Sequence, residues 1–229
     1  MADRSQPLPH SKGAALLGAA QPLYGEVHIR NRGRLPHWEK DCGLYFITFR
    51  LADSLPRAVL KKVAERHLFL GAAKSTGARL LPEQKAELAE YSPRRMEEYC
   101  DRGLGSCTLA DQRIASAVAA ALRFKEGKHY RLLAWCIMPN HVHVVVRLLP
   151  GADLATVLKS WKQFSSKAAN QVLGQSGHFW QREYYDRLIR NEQEYSRAIR
   201  YVLGNPVKAG LKNWPWVWSA DSEVRATAG

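Results

Sequence analysis

Cysteine is scarce in this sequence and badly spaced: Cys42, Cys100, Cys107 and Cys136 include no C-x-x-C pair. A zinc ribbon is thereby excluded and no disulfide framework is indicated, so reduced cytosolic thiols are the expectation. Cys136 stands in an apolar run and reads as a small core hydrophobe. Long hydrophobic runs are missing as well. Residues 13–20 form the longest apolar stretch near the start, well short of the ~20 residues that a spanning helix needs. They lead into a proline-containing segment without a cleavage pattern, and so read as a mobile tail. No Walker-type glycine loop is present to cradle a nucleotide phosphate, and there is no internal repeat or low-complexity block. Acidic residues fall short too, with 21 Asp and Glu against 34 Lys and Arg, for a net charge of +13. An excess of that size favours polyanions, either nucleic acid or an anionic membrane surface. Charge alone also fits a merely basic soluble protein.

What is present is enough apolar material for a core, 46% of 229 residues, which suits one domain with an insertion or a tail. Residues 1–40 are rich in proline, glycine and basic residues and read as a basic arm. Residues 44–49, aromatic and β-branched, predict a strand that Asp53-Ser54-Leu55-Pro56 ends. Val59, Leu60, Val63 and Ala64 predict a helix after Pro56, broken over residues 71–77. A polar helix over 83–99 falls in an expected helical insertion over about 72–109. An alanine-rich helix follows over 110–125. Residues 130–138 and 141–148 predict an antiparallel hairpin joined at Pro139-Asn140. A helix over 153–172, a short strand over 185–189 and a helix over 192–203, punctuated by Gly204 and Pro206, complete the order. That order predicts an α+β fold: a ferredoxin-like split βαβ antiparallel sheet with helices on it and an added C-terminal helix. The domain runs over 41–218, with a tail over 219–229.

The hairpin carries His141-Val142-His143. Alternate strand residues share a face, so the two imidazoles project side by side as a bidentate metal site. The same pair also reads as two half-buried histidines on an ordinary sheet face. A metallo-hydrolase of the H-x-H-x-D-H kind would need Asp and His where Val145 and Val146 stand, and no carboxylate follows for a cupin. A third ligand must therefore come from elsewhere. Tyr195, Ile199, Val202 and Leu203 form the apolar stripe of the last helix, and Tyr201 and Asn205 stand four apart beside it. Docked over the sheet, that helix would bring a phenol and an amide oxygen to the histidines. Pro206 biases Asn205 towards the helix cap, and Tyr201 also reads as a rim residue.

Three segments together resemble REP-associated tyrosine transposases, relatives of the single-tyrosine (HUH) transposases of small bacterial insertion sequences. They are Met138-Pro139-Asn140-His141-Val142-His143, His178-Phe179-Trp180-Gln181-Arg182-Glu183-Tyr184-Tyr185-Asp186, and the stretch from Arg200-Tyr201-Val202-Leu203-Gly204-Asn205-Pro206 to Leu211. Leu35-Pro36-His37-Trp38-Glu39 and residues 45–56 look like the family's opening. The resemblance covers about residues 33–218, and its specificity lies in the co-occurrence of the motifs in order.

The resemblance implies that His141, His143 and Asn205 bind Mg²⁺ or Mn²⁺ and that Tyr201 is the nucleophile. Insertion-sequence relatives often have Gln where the shorter Asn205 stands. It implies nicking and rejoining of single-stranded DNA beside hairpins, such as repetitive extragenic palindromes, through a 5′-phosphotyrosine. No nucleotide cofactor and no membrane are involved. The location implied is the cytoplasm of a bacterium, at the nucleoid. A monomer is favoured over a homodimer. Lys159, Lys162, Arg182, Arg187, Arg190, Arg197, Arg200 and Lys208 are the expected phosphate contacts, with Lys167 and Lys212 near them. Trp180, Trp214, Trp216 and Trp218 are candidates for stacking on unpaired bases. The rival readings are a non-catalytic single-strand-binding module, indifferent to metal and to Tyr201, and a metal-independent ribonuclease on the same fold.

Overall fold

The computed structural model describes residues 28–32, 35–39, 41–76, 79–84, 99 and 102–221. Its elements are β1 (His28–Arg32), β2 (Leu35–Glu39), β3 (Leu44–Arg50), α1 (Arg57–Thr76), α2 (Gln112–Arg123), β4 (Tyr130–Ile137), β5 (His141–Leu148), α3 (Leu154–Leu173), β6 (Tyr185–Leu188), α4 (Glu192–Lys208) and β7 (Val217–Ser219). The sheet order is β6-β3-β5-β4-β7, antiparallel throughout. Counting β3, β4, β5 and β6 as first to fourth, the order is 4-1-3-2, the split βαβ arrangement, and β7 adds an edge. The α+β reading is therefore correct.

Alternation along the strands divides the interior in two. Tyr45, Ile47 and Phe49 on β3 and Val142, Val144 and Val146 on β5 face α2 and α3 in the larger core. Leu44, Phe46 and Val145 face the other way, against Ala198 and Val202 of α4. A register shift in β4 between Leu132 and Ala134 turns both Leu133 and Ala134 to the α4 side, the extra residue of a β-bulge. The helices are capped by the expected chemistry. Asp153 accepts from the Thr156 N–H at the start of α3, and Gly174 ends it in left-handed geometry (φ 62°). Asn191 accepts from the Glu194 N–H at the start of α4.

Four expectations are corrected. First, part of the presumed arm is a hairpin, β1 paired antiparallel with β2, while residues 1–27 lie outside the described residues. Second, α1 does not break at Gly71 but runs on to Thr76, since one glycine costs a helix only about 1 kcal/mol against alanine. Third, α4 passes through Pro206 to Lys208, so Asn205 is inside the helix and not on its cap. Fourth, the buried face of α4 is Ala198, Val202, Asn205 and Pro206, whereas Leu203 is exposed. The amide therefore sits within the docked stripe and not beside it. Most of the expected helix over 83–99 lies outside the described residues, as do residues 77–78 and 100–101 of the insertion and the tail beyond 221.

Candidate metal and tyrosine site

β5 turns His141 and His143 to the α4 side, where they are 1% and 0% exposed. Their Nε2 atoms stand 2.9 Å apart. Each ring is held from behind. Asn140 Nδ2 donates to the Leu104 carbonyl (2.9 Å), which leaves Asn140 Oδ1 to accept from His141 Nδ1–H at 2.7 Å. Thr48 Oγ1 lies 2.8 Å from His143 Nδ1, across the β3–β5 pair in which Thr48 faces His143. Partners of this kind fix the tautomer and aim of a metal-binding imidazole. Burial, with the nearby cations Arg50 and Lys208, holds His143 down to about 3. Burial, then His143, Arg50 and Lys208, holds His141 well below its ordinary value. Both rings are therefore neutral near pH 7.

Tyr201 lies over this pair. Its ring is 5.2 Å from that of His143 at 80° and 5.7 Å from Phe46 at 81°, and Phe46 itself stacks on His143 at 5.5 Å. Lys208 Nζ is 5.9 Å from the centre of the Tyr201 ring. Asn205 follows Tyr201 by one helical turn, about 6 Å along the axis. It is 1% exposed, and both its side-chain Oδ1 and Nδ2 lack a hydrogen-bond partner.

A buried amide with neither atom paired costs about 1–3 kcal/mol per group, and natural cores seldom tolerate one without a function. The donor set fits a divalent cation. Two neutral imidazole nitrogens meet at a separation close to the ~3 Å of adjacent donors around an octahedral ion, and an amide oxygen suits Mg²⁺ or Mn²⁺. No cluster of three or more His, Cys, Asp or Glu occurs among the described residues, so the set depends on the amide and contains no carboxylate.

The structure thus brings together His141, His143, Tyr201 and Lys208, and turns Asn205 inward on the same helix. Arg50 was missed by sequence reasoning. It pairs in register with His141, and only that register reveals it. Thr48 and Phe46 were missed for the same reason, while Asn140 stands next to His141 in the sequence and its supporting role shows only in its bond to the His141 ring. Arg187 lies 5.9 Å from the centre of the Phe46 ring, on the site's side of β6. Lys159, Arg182, Arg190, Arg197 and Arg200 are exposed. Lys162 is placed differently from an open phosphate contact: its Nζ donates to the carbonyls of Gln181, Arg182 and Glu183 at 2.9, 3.1 and 3.4 Å. Burial pulls its ammonium down to about 8. Trp180 is corrected outright. It is 6% exposed, packs on Phe49 at 4.8 Å and donates to Ser165 Oγ, so it is core and not a stacking platform. Trp214 donates to the Ile137 carbonyl, and Trp218 stacks on Trp135.

The family model described as "Transposase IS200 like" matches residues 109–205. That stretch contains His141, His143, Tyr201 and Asn205. The chain resembles REP-associated tyrosine transposases. That of Escherichia coli K12 is 27% identical over 101 residues, 42% of this chain and 59% of that protein. A Haemophilus influenzae relative is 29% identical over 108 residues, 39% of this chain and 60% of its own. The chain spans about three fifths of the length of these curated relatives. A REP-associated tyrosine transposase solved bound to a REP hairpin covers 83% of this chain and 84% of its own at 18% identity and TM-score 0.48. No helix among the described residues is long and apolar enough to cross a membrane.

Proposed function

We propose that this protein is a metal-dependent transposase that nicks and rejoins single-stranded DNA beside palindromic hairpins, with Tyr201 as nucleophile. The observation that carries the reading is the convergence of two neutral imidazole Nε2 atoms at 2.9 Å beneath the Tyr201 ring, with an unpartnered buried amide one turn further along the same helix.

The Tyr201 phenolic oxygen attacks the scissile phosphorus, the bond to the 3′ oxygen breaks, and a 5′-phosphotyrosine and a free 3′-OH result. That hydroxyl, or another strand's, attacks the phosphotyrosine and regenerates the phenol. One phosphodiester is lost and one made, so no nucleotide is consumed. His141, His143 and Asn205 would hold the divalent cation, which supplies Lewis-acid polarisation of the phosphate. A phenol titrates near 10 in water, so Tyr201 gives up its proton only as its bond to phosphorus forms, and the leaving 3′ oxygen takes one up. Thr48 and Asn140 keep the imidazoles aimed, which removes reorientation from the reaction coordinate. Exposed Arg187, Arg190, Arg197 and Arg200 grip the phosphates to either side without reading sequence. The protein works in the bacterial cytoplasm, at the nucleoid, as a monomer in preference to a homodimer.

The test is incubation with single-stranded hairpin oligonucleotides from the flanks of its own gene, with Mn²⁺ or EDTA, on denaturing gels. A cut that needs Mn²⁺, with a protein–DNA adduct that Tyr201→Phe abolishes, is the expected result. Tight binding with no cut and no adduct on any flanking hairpin would leave a binding module instead.

A further inference from the structure

On the other side of the sheet an open groove of about 410 Å³ lies between α3 and residues 177–184. Its floor is apolar, with Leu158, Phe179 and Trp180, and Tyr184 stands at one wall. Lys159 and Arg182 lie at its rim, and no Asp or Glu lines it. Apolar concavity with a few polar groups is the form of a small-ligand site, and the charge of this one calls for an anion. Its size falls within the range of such sites.

The groove's wall is tied to the tyrosine site. The Gln181 N–H donates to the Arg50 carbonyl and the Ala52 N–H to the Phe179 carbonyl, each at 2.9 Å. Arg50 is the residue of β3 in register with His141. Tyr184 packs with the α3-side core, whereas Tyr185, the next residue, packs on Phe46 on the histidine side. The chain thus passes from groove to site within one residue. Lys162 pins that wall: its three carbonyl bonds fix residues 181–183, and its ammonium sits 5.3 Å from the centre of the Tyr184 ring.

We propose that this groove is a pocket for one unpaired nucleotide of the substrate strand, its base against Leu158 and Tyr184 and its phosphate held by Lys159 and Arg182. The inference rests on the DNA-processing reading above and adds to it a second contact with the strand, away from the scissile phosphate. Base–aromatic contact combined with cations is the usual means of holding single strands. Lys162 acts as a positioning residue for that pocket.

Binding is measured on full-length Tyr201→Phe protein, so that cleavage does not enter, using flanking hairpins whose unpaired extensions carry one abasic position at a time. One abasic position is expected to weaken binding by about tenfold or more. Adding Ser166→Trp, which fills the groove, or Lys159→Glu with Arg182→Glu, should erase that penalty while the melting temperature stays unchanged. Persistence of the same penalty in both groove variants, or no sensitive position at all, overturns the proposal. If the wild type forms the adduct while the groove cycle fails, only the pocket falls. If the cycle succeeds and no adduct forms, the pocket stands and the nuclease reading falls. No binding to any hairpin overturns both.

Discussion

Helices α2 and α3 cover one face of the sheet with Ile114, Val118, Leu122, Leu154, Val157 and Trp161, and apart from the Trp135 indole N–H the polar side chains of that core are hydrogen-bonded pairs. Tyr130 accepts from Trp161 Nε1 and donates to the Leu122 carbonyl, both at 2.8 Å. Ser165 accepts from Trp180 and donates to the Trp161 carbonyl. The α4 face has a smaller apolar cluster, and buries His141, His143, Thr48 and an Asn205 with both polar atoms unpaired. One sheet therefore carries a face arranged for stability and a face where stability is given up for chemistry. Unpaired buried groups in an otherwise well-packed protein point to sites.

The largest break in that comparison should come from Tyr201→Phe. On the proposed mechanism it lowers cleavage by about a thousandfold or more and moves thermal stability by no more than about 0.5 kcal/mol. Residual adduct formation at the wild-type rate would remove Tyr201 from its role. On the opposite face the effects should invert. Trp161→Ala, at 2% exposure, is expected to cost about 3–5 kcal/mol in urea unfolding, with cleavage per folded molecule little changed. Thr48→Val keeps shape and removes the oxygen at His143 Nδ1. It should lower metal-dependent cleavage about 10–100-fold, and an unaffected rate would mean the imidazole needs no such support. The smallest effect is chemical. Burial pushes the Cys136 thiol up to about 12, so iodoacetamide at pH 8 should label Cys42 in the folded protein and reach Cys136 only in denaturant. Rapid labelling of native Cys136 would show the α4 face to be looser than described.

The division between faces was partly legible in the sequence. Period-2 alternation placed His141 and His143 on one face, and four-residue spacing linked Tyr201 to Asn205, because both signals are local. Leu203 misled, since a hydrophobic side chain next to Val202 looks as though it belongs to the stripe, yet docking is set by what the whole helix buries. Pro206 misled in the opposite sense. A proline near a helix end removes only one N–H, and packing of Val202 and Asn205 against the sheet holds the backbone helical past it. Arg50 and Thr48 could not be picked out, because their closeness to the histidines comes from the β3–β5 register, and Asn140, though next to His141, owes its aim to the distant Leu104 carbonyl. Lys162 and Trp180 looked like DNA contacts because a lysine on a helix and a tryptophan in a motif carry no mark of burial. Their partners are carbonyls and a serine supplied by segments 15 or more residues away.

The claim that the α4 face gives up stability for a cation is tested most directly by melting curves of wild type and Asn205→Leu, each in EDTA and in Mn²⁺. In EDTA the leucine variant should be more stable than wild type, by about 1–3 kcal/mol, because an unpaired buried amide has been removed. Mn²⁺ should raise the wild-type midpoint through binding to the native state and leave Asn205→Leu unmoved. A leucine variant that is less stable in EDTA, or one that responds to Mn²⁺ as wild type does, would contradict the account.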